Sequence, residues 1–563
     1  MTETIQTDVL VVGGGGAAAR AAAEAEKAGA SVVLATKGRF GAIGVRGGGA
    51  TGISISEATG SHGLGRVGMR GWTAEQVFDD VIQVGLGMAD RKLVQILIED
   101  TIDSRRALDD WGIVHPGGQG MGGRQHGVPI MDVLNRVIRQ SSVRLLERCL
   151  VTDLVVNDGE CVGAVGVGDD GEQYIFQTKA VILGTGGNGQ LFRFNMNPTD
   201  VTGDGYSMAY NAGADLMNME FMQIFLGTVY PTTNLVHSWA WRRGERMTNA
   251  LGEEFAANYI PEGGTLAQAQ AEHGLHNPFS ARDQYSRYLD IGMINEVNEG
   301  RGSEHGALNM HLSDPEAIPA ELRDWYNYRG IRWEDGPLQV AICHHCSNGG
   351  LVIDENAQST IPRLYAAGEQ ATGPHGGDRL GGHMLTASQV FGARAGKHAA
   401  QVAKGAAPTF DFEGAQDKIV AIEVFAGSQG DESPAGLKTE LQHSTWSNML
   451  VARSPETLNK VLADISSIRE RLSRVAIEKP GDVVQALEVR SLLTVGEMIA
   501  NVSLQRTESR AGHYRVDYPD QNDEQWLKAI KVRQAHGQME FEPFAVDPDW
   551  TSREGDMGQM GWG

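Results

Sequence analysis

Apolar and polar positions divide the chain into stretches of distinct period. Asp8 to Val12 is a short apolar run, DVLVV, followed by GGGGAAARAAAEAEKAGA and then SVVLATKG. Strand, glycine turn, alanine-rich helix and second strand succeed one another there as a βαβ unit. Leu150 to Val167 carries two β-rich runs around Asn157, Asp158 and Gly159, residues suited to a hairpin turn. Ala180 to Leu183 reads as a buried strand running into Gly184, Thr185, Gly186 and Gly187. From about Phe225 to Ile342 the sequence turns polar, tryptophan-rich and less periodic, and strand signals return only at GLVIDENAQSTIPRLYAAGE. That break predicts an inserted unit.

Beyond about Pro408 the period becomes helical. Leu458, Val461, Leu462, Ile465, Ile468 and Leu472 share one face, after Ser454 as N-cap and Pro455 at the first helical position. The last thirty or so residues, ending REGDMGQMGWG, lack a period and read as an extended tail that contacts another subunit of an oligomer, or as loosely ordered chain. The expected units are a first cofactor-domain part at 1–228, an insertion at 229–344, a second cofactor-domain part at 345–410, a helical domain at 411–530 and a tail at 531–563.

The glycine turn carries the first chemistry. Gly13, Gly15 and Ala18 fit G-x-G-x-x-G/A: a tight turn, a close approach of backbone to pyrophosphate, and a small residue where helix meets sheet. The helix N-terminus then offers unsatisfied N–H groups to the phosphates. Ala35, Thr36 and Lys37 stand where an acidic ribose partner is common, which weakens an NAD reading and leaves FAD open. A second turn at Gly186 suggests another backbone approach to the same long cofactor.

Composition narrows the classes. A chain of 563 residues implies two to four structural units. With 71 acidic against 48 basic residues, a net charge of −23 repels nucleic acid and anionic lipid. Cys149, Cys161, Cys343 and Cys346 are too few for a disulfide framework and fit a reducing compartment. No run approaches the roughly 20 apolar residues of a membrane span, and the polar N-terminus lacks a signal-peptide pattern. The expected location is cytoplasmic, with any membrane contact made through a partner. Cys343 and Cys346 form a C-x-x-C around two histidines, but a structural zinc site needs four converging ligands, and no metal is expected. The chain holds no cysteine set for an iron–sulfur cluster, so clusters would belong to a partner.

Three longer segments, RLYAAGEQATGPHGGDRLGGHMLTASQVFGARAG, TGDGYSMAYNAGADLMNMEFMQ and SRAGHYRVDYPDQNDEQW, resemble the flavoprotein family of succinate dehydrogenase, fumarate reductase and L-aspartate oxidase. The similarity runs from the glycine turn to about Trp526. It implies an α/β fold in which a Rossmann-like FAD-binding domain is interrupted by a capping domain and followed by a C-terminal helical domain, with the active site between cap and flavin. By position it implies FAD contacts from Gly13, Gly15, Lys37, Asp204 and Glu369, with Leu385 close by. Where family members attach FAD covalently, a histidine stands a few residues before the glycine pair, here Gly48 and Gly49. This chain has Gly41, Ala42, Ile43 and Gly44 in that stretch, so FAD is expected to bind non-covalently.

For the reaction, Arg282 in ARDQYSR resembles the family's proton-transferring arginine. Arginine serves as an acid only where neighbours share the proton, and Asp283 and Arg287 are candidates for that relay, while a plain ion pair within the helix is the structural alternative. His345 in HHCSNGG takes the place of the family's carboxylate-binding histidine, with His344 as a rival. Arg379 in GGDRLGG would clamp the same carboxylate through its planar fork. The departure lies at the other end. Where the family reads E-F-x-Q-F-H-P-T, this chain has Phe225 and Gly227 in place of histidine and threonine, unless a shifted alignment supplies Tyr230, Pro231 and Thr232. Losing two polar partners would leave a buried carboxylate poorly solvated, a cost on the order of several kcal/mol, so the expected substrate has one carboxylate and a bulkier or less charged far end. His383 replaces the family's usual asparagine. The leading expectation is hydride transfer between flavin and an activated carbon–carbon bond, with electrons exchanged through an iron–sulfur partner. The alternatives are a soluble L-aspartate-oxidase-like enzyme and an electron-transfer subunit of a larger complex.

Overall fold

The apolar N-terminal run becomes the centre of the largest sheet. In the computed structural model, which describes residues 2–42, 48–54, 67, 72–114, 127–236, 238–318 and 320–552, β1 (Thr2–Val12) pairs in parallel with β2 (Val32–Thr36), and β2 with β3 (Arg144–Glu147). β4 (Cys149–Asn157) and β5 (Glu160–Gly168) form the expected hairpin, its turn at Asp158 and Gly159 left-handed at φ 49° and 79°. β6 (Gln173–Leu183) joins the two halves, antiparallel to β5 and parallel to β1, with Val12 opposite Leu183. The strand ends carrying the two glycine turns are therefore neighbours.

The helix Gly16–Lys27 is alanine-rich for a packing reason. It lies against the helix His383–Ala403, where a Cβ on Gly396 would sit 2.2 Å from the Ala21 carbonyl and one on Gly392 2.8 Å from that of Ala17. Small residues on both helices permit that approach.

After β6 come β7 (Leu216–Met217) and a second sheet of β8 (Met222–Tyr230), β9 (Asn234–Leu235), β10 (Arg246–Thr248), β11 (Leu308–His311) and β12 (Leu338–Ser347), in the order β10-β11-β12-β8-β9. β13 (Gly350–Leu351) pairs with β7, and β14 (Leu364–Ala366) returns to lie parallel to β6. The expected boundaries at 228/229 and 344/345 fall inside β8 and β12. We propose that the inserted unit shares these two strands with the flavin-side unit.

The helical region comprises Phe412–Ala426, Pro434–Met449, Pro455–Leu472 and Pro480–Gln505. Ser454 caps the third, accepting the Thr457 N–H at 3.2 Å, and Leu458, Val461, Ile465, Ile468 and Leu472 are buried along one face. β15 (Ala452–Arg453) pairs with β16 (Tyr514–Arg515). Much of the expected tail is ordered. β17 (Ala529–Ala535) and β18 (Gln538–Phe544) form a hairpin that docks on β7. Its turn, His536 and Gly537 at φ 53° and 77°, supplies the two left-handed residues that such a loop requires. The alternation is weak because most of β18 is solvated, which hid the hairpin in the sequence. Residues 553–563 lie outside the described residues. Among the described residues no helix is long and apolar enough to cross a membrane.

Candidate active site

The two glycine turns build an open cleft. Gly13 has φ 122°, and a Cβ there would stand 2.4 Å from the Gly184 carbonyl oxygen, so no other residue fits without displacing β6. Gly15 faces Gly49, whose Cβ would lie 3.1 Å from the Gly15 Cα, and the Gly16 N–H donates to Thr51 Oγ1 at 3.1 Å. Of the expected cofactor residues, Gly13, Gly15, Lys37, Gly49, Gly186, Asp204, Glu369 and Leu385 line the cleft. Ala18 and Gly48 do not. Ala18 is buried against Gly184, where it lets helix and sheet meet, and Gly48 is buried beside Gly49. Ile43 and Gly44 lie outside the described residues.

Glu369 stands between this cleft and the substrate side. Its Oε1 accepts the Ser347 N–H at 2.8 Å. Burial raises its carboxyl to about 7, against the opposing pull of the Ser347 N–H and the Arg379 charge.

On the expected substrate side, β12 and β8 run antiparallel with Phe225 opposite Cys343 and Gln223 opposite Cys346. The register shifts between His344 and Cys346, and His345 sits in that irregularity. Its ring stands perpendicular to that of Phe225, with centroids 5.0 Å apart at 82°, and its Nδ1 is buried without a protein partner. Burial, reinforced by the Arg379 charge, pushes its pKa down to about 3, so the imidazole is neutral. The neighbouring His344 is a core residue: fully buried, its ring lies 5.0 Å from that of Phe192 at 17°, and its Nε2 is 3.4 Å from Ser347 Oγ. Tyr230, the alternative from a shifted alignment, is half exposed and stacks on His305. Phe225 is the residue beside His345.

Arg379 is almost wholly buried and rigidly held. Its Nη2 donates to Gln223 Oε1 at 2.5 Å and its Nη1 to the Leu380 carbonyl at 3.2 Å, while Nε has no protein partner. Gln223 Nε2 in turn donates to Asp378 Oδ1 at 2.7 Å and to the Arg379 carbonyl at 2.6 Å. Asp378 continues the chain to the inserted unit. Its Oδ2 is 3.5 Å from His276 Nε2, and His276 Nδ1 is 3.1 Å from Asp283 Oδ2. Burial opposes a charge on His276, but the two carboxylates outweigh it and raise its pKa to about 10.

Arg282 precedes Asp283. Burial draws its pKa down, and the Asp283 and Asp378 charges oppose the fall. Arg287 serves a different end. Its Nη1 donates to the Ala281 carbonyl at 2.6 Å and its guanidinium lies over Tyr514, which fixes the loop carrying Arg282. The structure thus joins Asp283 to Arg379 through one series of contacts, with Arg282 within the field of Asp283 and Asp378 and His345 within that of Arg379. His276, Asp378 and Gln223 were missed in the sequence. Asp378 and Gln223 lay inside motifs already singled out, whereas His276 had no local signal. The four cysteines are free and buried, Cys343 donating to the Ala341 carbonyl and Cys346 to Gln223 Oε1. Among the described residues no cluster of three His, Cys, Asp or Glu side chains could hold a metal.

Comparison with known proteins bears on these features. Residues 8–385 match the FAD binding domain family, and residues 438–552 match the fumarate reductase flavoprotein C-term family. A fumarate reductase (CoM/CoB) subunit of Methanothermobacter marburgensis is 29% identical over 485 residues, covering 80% of this chain and 85% of that one. The succinate dehydrogenase flavoprotein subunit of Rickettsia bellii is 30% identical over 429 residues, covering 71% of this chain and 69% of that one. The solved structure of Mycobacterium smegmatis Sdh1 in complex with UQ1 superposes with a TM-score of 0.80 at 25% identity, covering 96% of this chain and 95% of that chain.

Proposed function

The chain belongs to the flavoprotein-subunit family of fumarate reductases and succinate dehydrogenases, FAD-dependent oxidoreductases of CH–CH groups, and from that premise we propose that it acts on a monocarboxylate end bound by His345 and Arg379, with Arg282 transferring the proton. The cleft fits FAD by its own geometry: Gly13 and Gly49 leave no room for side chains where backbone must approach pyrophosphate, and Asp204 Oδ1 is a buried acceptor without a protein partner. Bound there, FAD supplies the hydride chemistry. The lack of a histidine at Gly41 and Ala42 favours non-covalent attachment.

The chain's own residues do the rest. Arg379, fixed by Gln223 and Asp378, holds its guanidinium toward an anion with Nε still available, and the neutral His345 adds a hydrogen bond without adding charge. Arg282, with its pKa lowered by burial, yields its proton more readily than a solvated arginine, and the Asp283 and Asp378 carboxylates favour its reprotonation afterwards. The observation that carries the substrate reading is the Phe225 ring set perpendicular to that of His345. An apolar ring there disfavours a second carboxylate and suits an apolar or neutral group.

Electrons are exchanged with an iron–sulfur subunit in this reading, supported by a chain whose four cysteines are all buried singly and by relatives named as subunits. The decisive experiment reduces the flavin anaerobically and follows its reoxidation by a panel of unsaturated mono- and dicarboxylic acids, with oxygen and Arg282→Ala as controls. Fast reoxidation by a monocarboxylate, lost in Arg282→Ala, is the expected result. Equal rates in both proteins, or a preference for fumarate, would overturn the reading.

A further inference from the structure

Lys37 directly follows β2, where dinucleotide-binding folds place an acidic residue for the ribose. Its side chain is 10% exposed. Nζ lies 2.6 Å from Asp204 Oδ2 and 3.0 Å from Glu488 Oε1, and it also donates to Thr202 Oγ1. Thr202 in turn donates to the same Asp204 oxygen at 2.8 Å. The three N–H donors of the ammonium thus meet three acceptors. The other Asp204 oxygen is buried with no protein partner, and Asp204 lines the cleft, whereas Glu488 stands behind it. A carboxylate oxygen left open on a cofactor wall suits a ligand donor, and a ribose hydroxyl is one.

We propose that Glu488, carried by the helix Pro480–Gln505, is a positioning residue for the adenosine end of FAD: as second counter-ion of Lys37 it keeps the ammonium on Asp204, whose free oxygen then replaces the missing β2 carboxylate. The inference rests on the FAD reading. The physical argument concerns charge and donors together. Of the two carboxylates on the ammonium, Glu488 is the one that does not line the cleft, so without it Lys37 is held by a carboxylate from the cleft side alone. With Glu488 present the ammonium is held between two carboxylates, and the open Asp204 oxygen is an acceptor that suits a hydroxyl donor rather than a phosphate. Glu488 can act this way because its helix is fixed. Its side chain is 2% exposed, Val484 and Leu487 pack in the apolar cluster with residues of β4 and β5, and Arg490 pairs with Asp153 of β4 at 3.0 Å. The C-terminal helical region thereby takes part in retaining a cofactor whose phosphate turn lies at the opposite end of the sequence.

The test measures FAD release from the holoprotein by the gain in free-flavin fluorescence on dilution, together with the Tm of holo- and apoprotein. For Glu488→Gln, loss of one charge-assisted contact should speed release about tenfold and lower the holo Tm by more than the apo Tm. Arg490→Gln, which loosens the same helix from β4, should lower both Tm values equally without changing release. Wild-type release from Glu488→Gln, or equal losses of apo and holo Tm, would overturn the proposal. If the glutamine variant does not fold, Glu488→Asp shortens the arm while keeping its charge, and it should release FAD several-fold faster than wild type, with unchanged release again counting against the proposal. A wild-type protein that neither retains nor takes up FAD would overturn the FAD reading instead.

Discussion

At the flavin cleft the walls are mainly main chain: Gly13, Gly15, Gly49 and Gly186 bring backbone to the place where phosphates would lie, and a side chain added at Gly13 would collide with the Gly184 backbone while one at Gly49 would crowd Gly15. The proposed substrate side is made of side chains in series, from Asp283 through His276, Asp378 and Gln223 to Arg379. A backbone wall is fixed by the fold and tolerates almost no substitution. A side-chain series is tuned link by link, so it can lose or gain a partner, as at Phe225, without disturbing the sheet beneath.

The largest expected effect lies in the first region. Gly13→Val adds a β-branched side chain at φ 122° and drives a carbon to 2.4 Å from the Gly184 oxygen. The strain and the clash together should cost more than about 4 kcal/mol. The expected outcome is little soluble protein and no flavin absorbance near 450 nm in what is recovered (roughly, as for any bound flavin). Wild-type FAD content in this variant would show that the wall is pliable and erase the contrast. Arg379→Met comes next and should act oppositely, preserving FAD occupancy while reducing reoxidation by the preferred acid about a thousandfold, because in the proposed reading the buried fork is the main charge facing the substrate.

The same contrast explains what the sequence made legible. Glycine spacing and strand periods are local, so β1, the turn at Gly13, the Asp158–Gly159 hairpin and the capped helix after Ser454 could be read directly, and the longer motifs located Arg379 and Glu369. Contacts across elements leave no such trace. His276 acquires its place only when the inserted unit brings it between Asp283 and Asp378. Glu488 meets Lys37 from the far end of the chain, and the β17–β18 hairpin is defined by β7 rather than by its own weak alternation. His344 and His345 were indistinguishable as letters, and an irregularity in the β12 register separates them.

The His276 bridge gives a smaller effect with a defined pH signature. Its pKa is raised from 6.5 to about 10, so its contribution is fully present below about 6.5 and is lost as pH rises through 10. Wild-type stability should therefore decline at alkaline pH. His276→Asn should lack that component and should be less stable at neutral pH by roughly 2–3 kcal/mol, since Asp283 and Asp378 then lose the imidazolium that bridges them. Denaturant titrations at a series of pH values check both. Parallel curves for the two proteins would mean that the bridge is not charged.

Phe225→His should have the mildest effect and bears most directly on substrate choice. Phe225 is 8% exposed and its ring stands perpendicular to that of His345, so an imidazole of smaller volume fits without overpacking. The new ring brings a polar atom to a wall that has only carbon, lowering the cost of placing a second carboxylate there. Because Gly227 still offers no hydroxyl, one of two missing partners is restored. The gain for a dicarboxylate over a monocarboxylate should then be about three- to tenfold, the worth of a single added hydrogen bond. Reoxidation rates for paired acids of equal chain length measure the ratio. A ratio unchanged from wild type would place the discriminating wall elsewhere, and the side-chain series would lose the adjustable position that sets it apart from the glycine cleft.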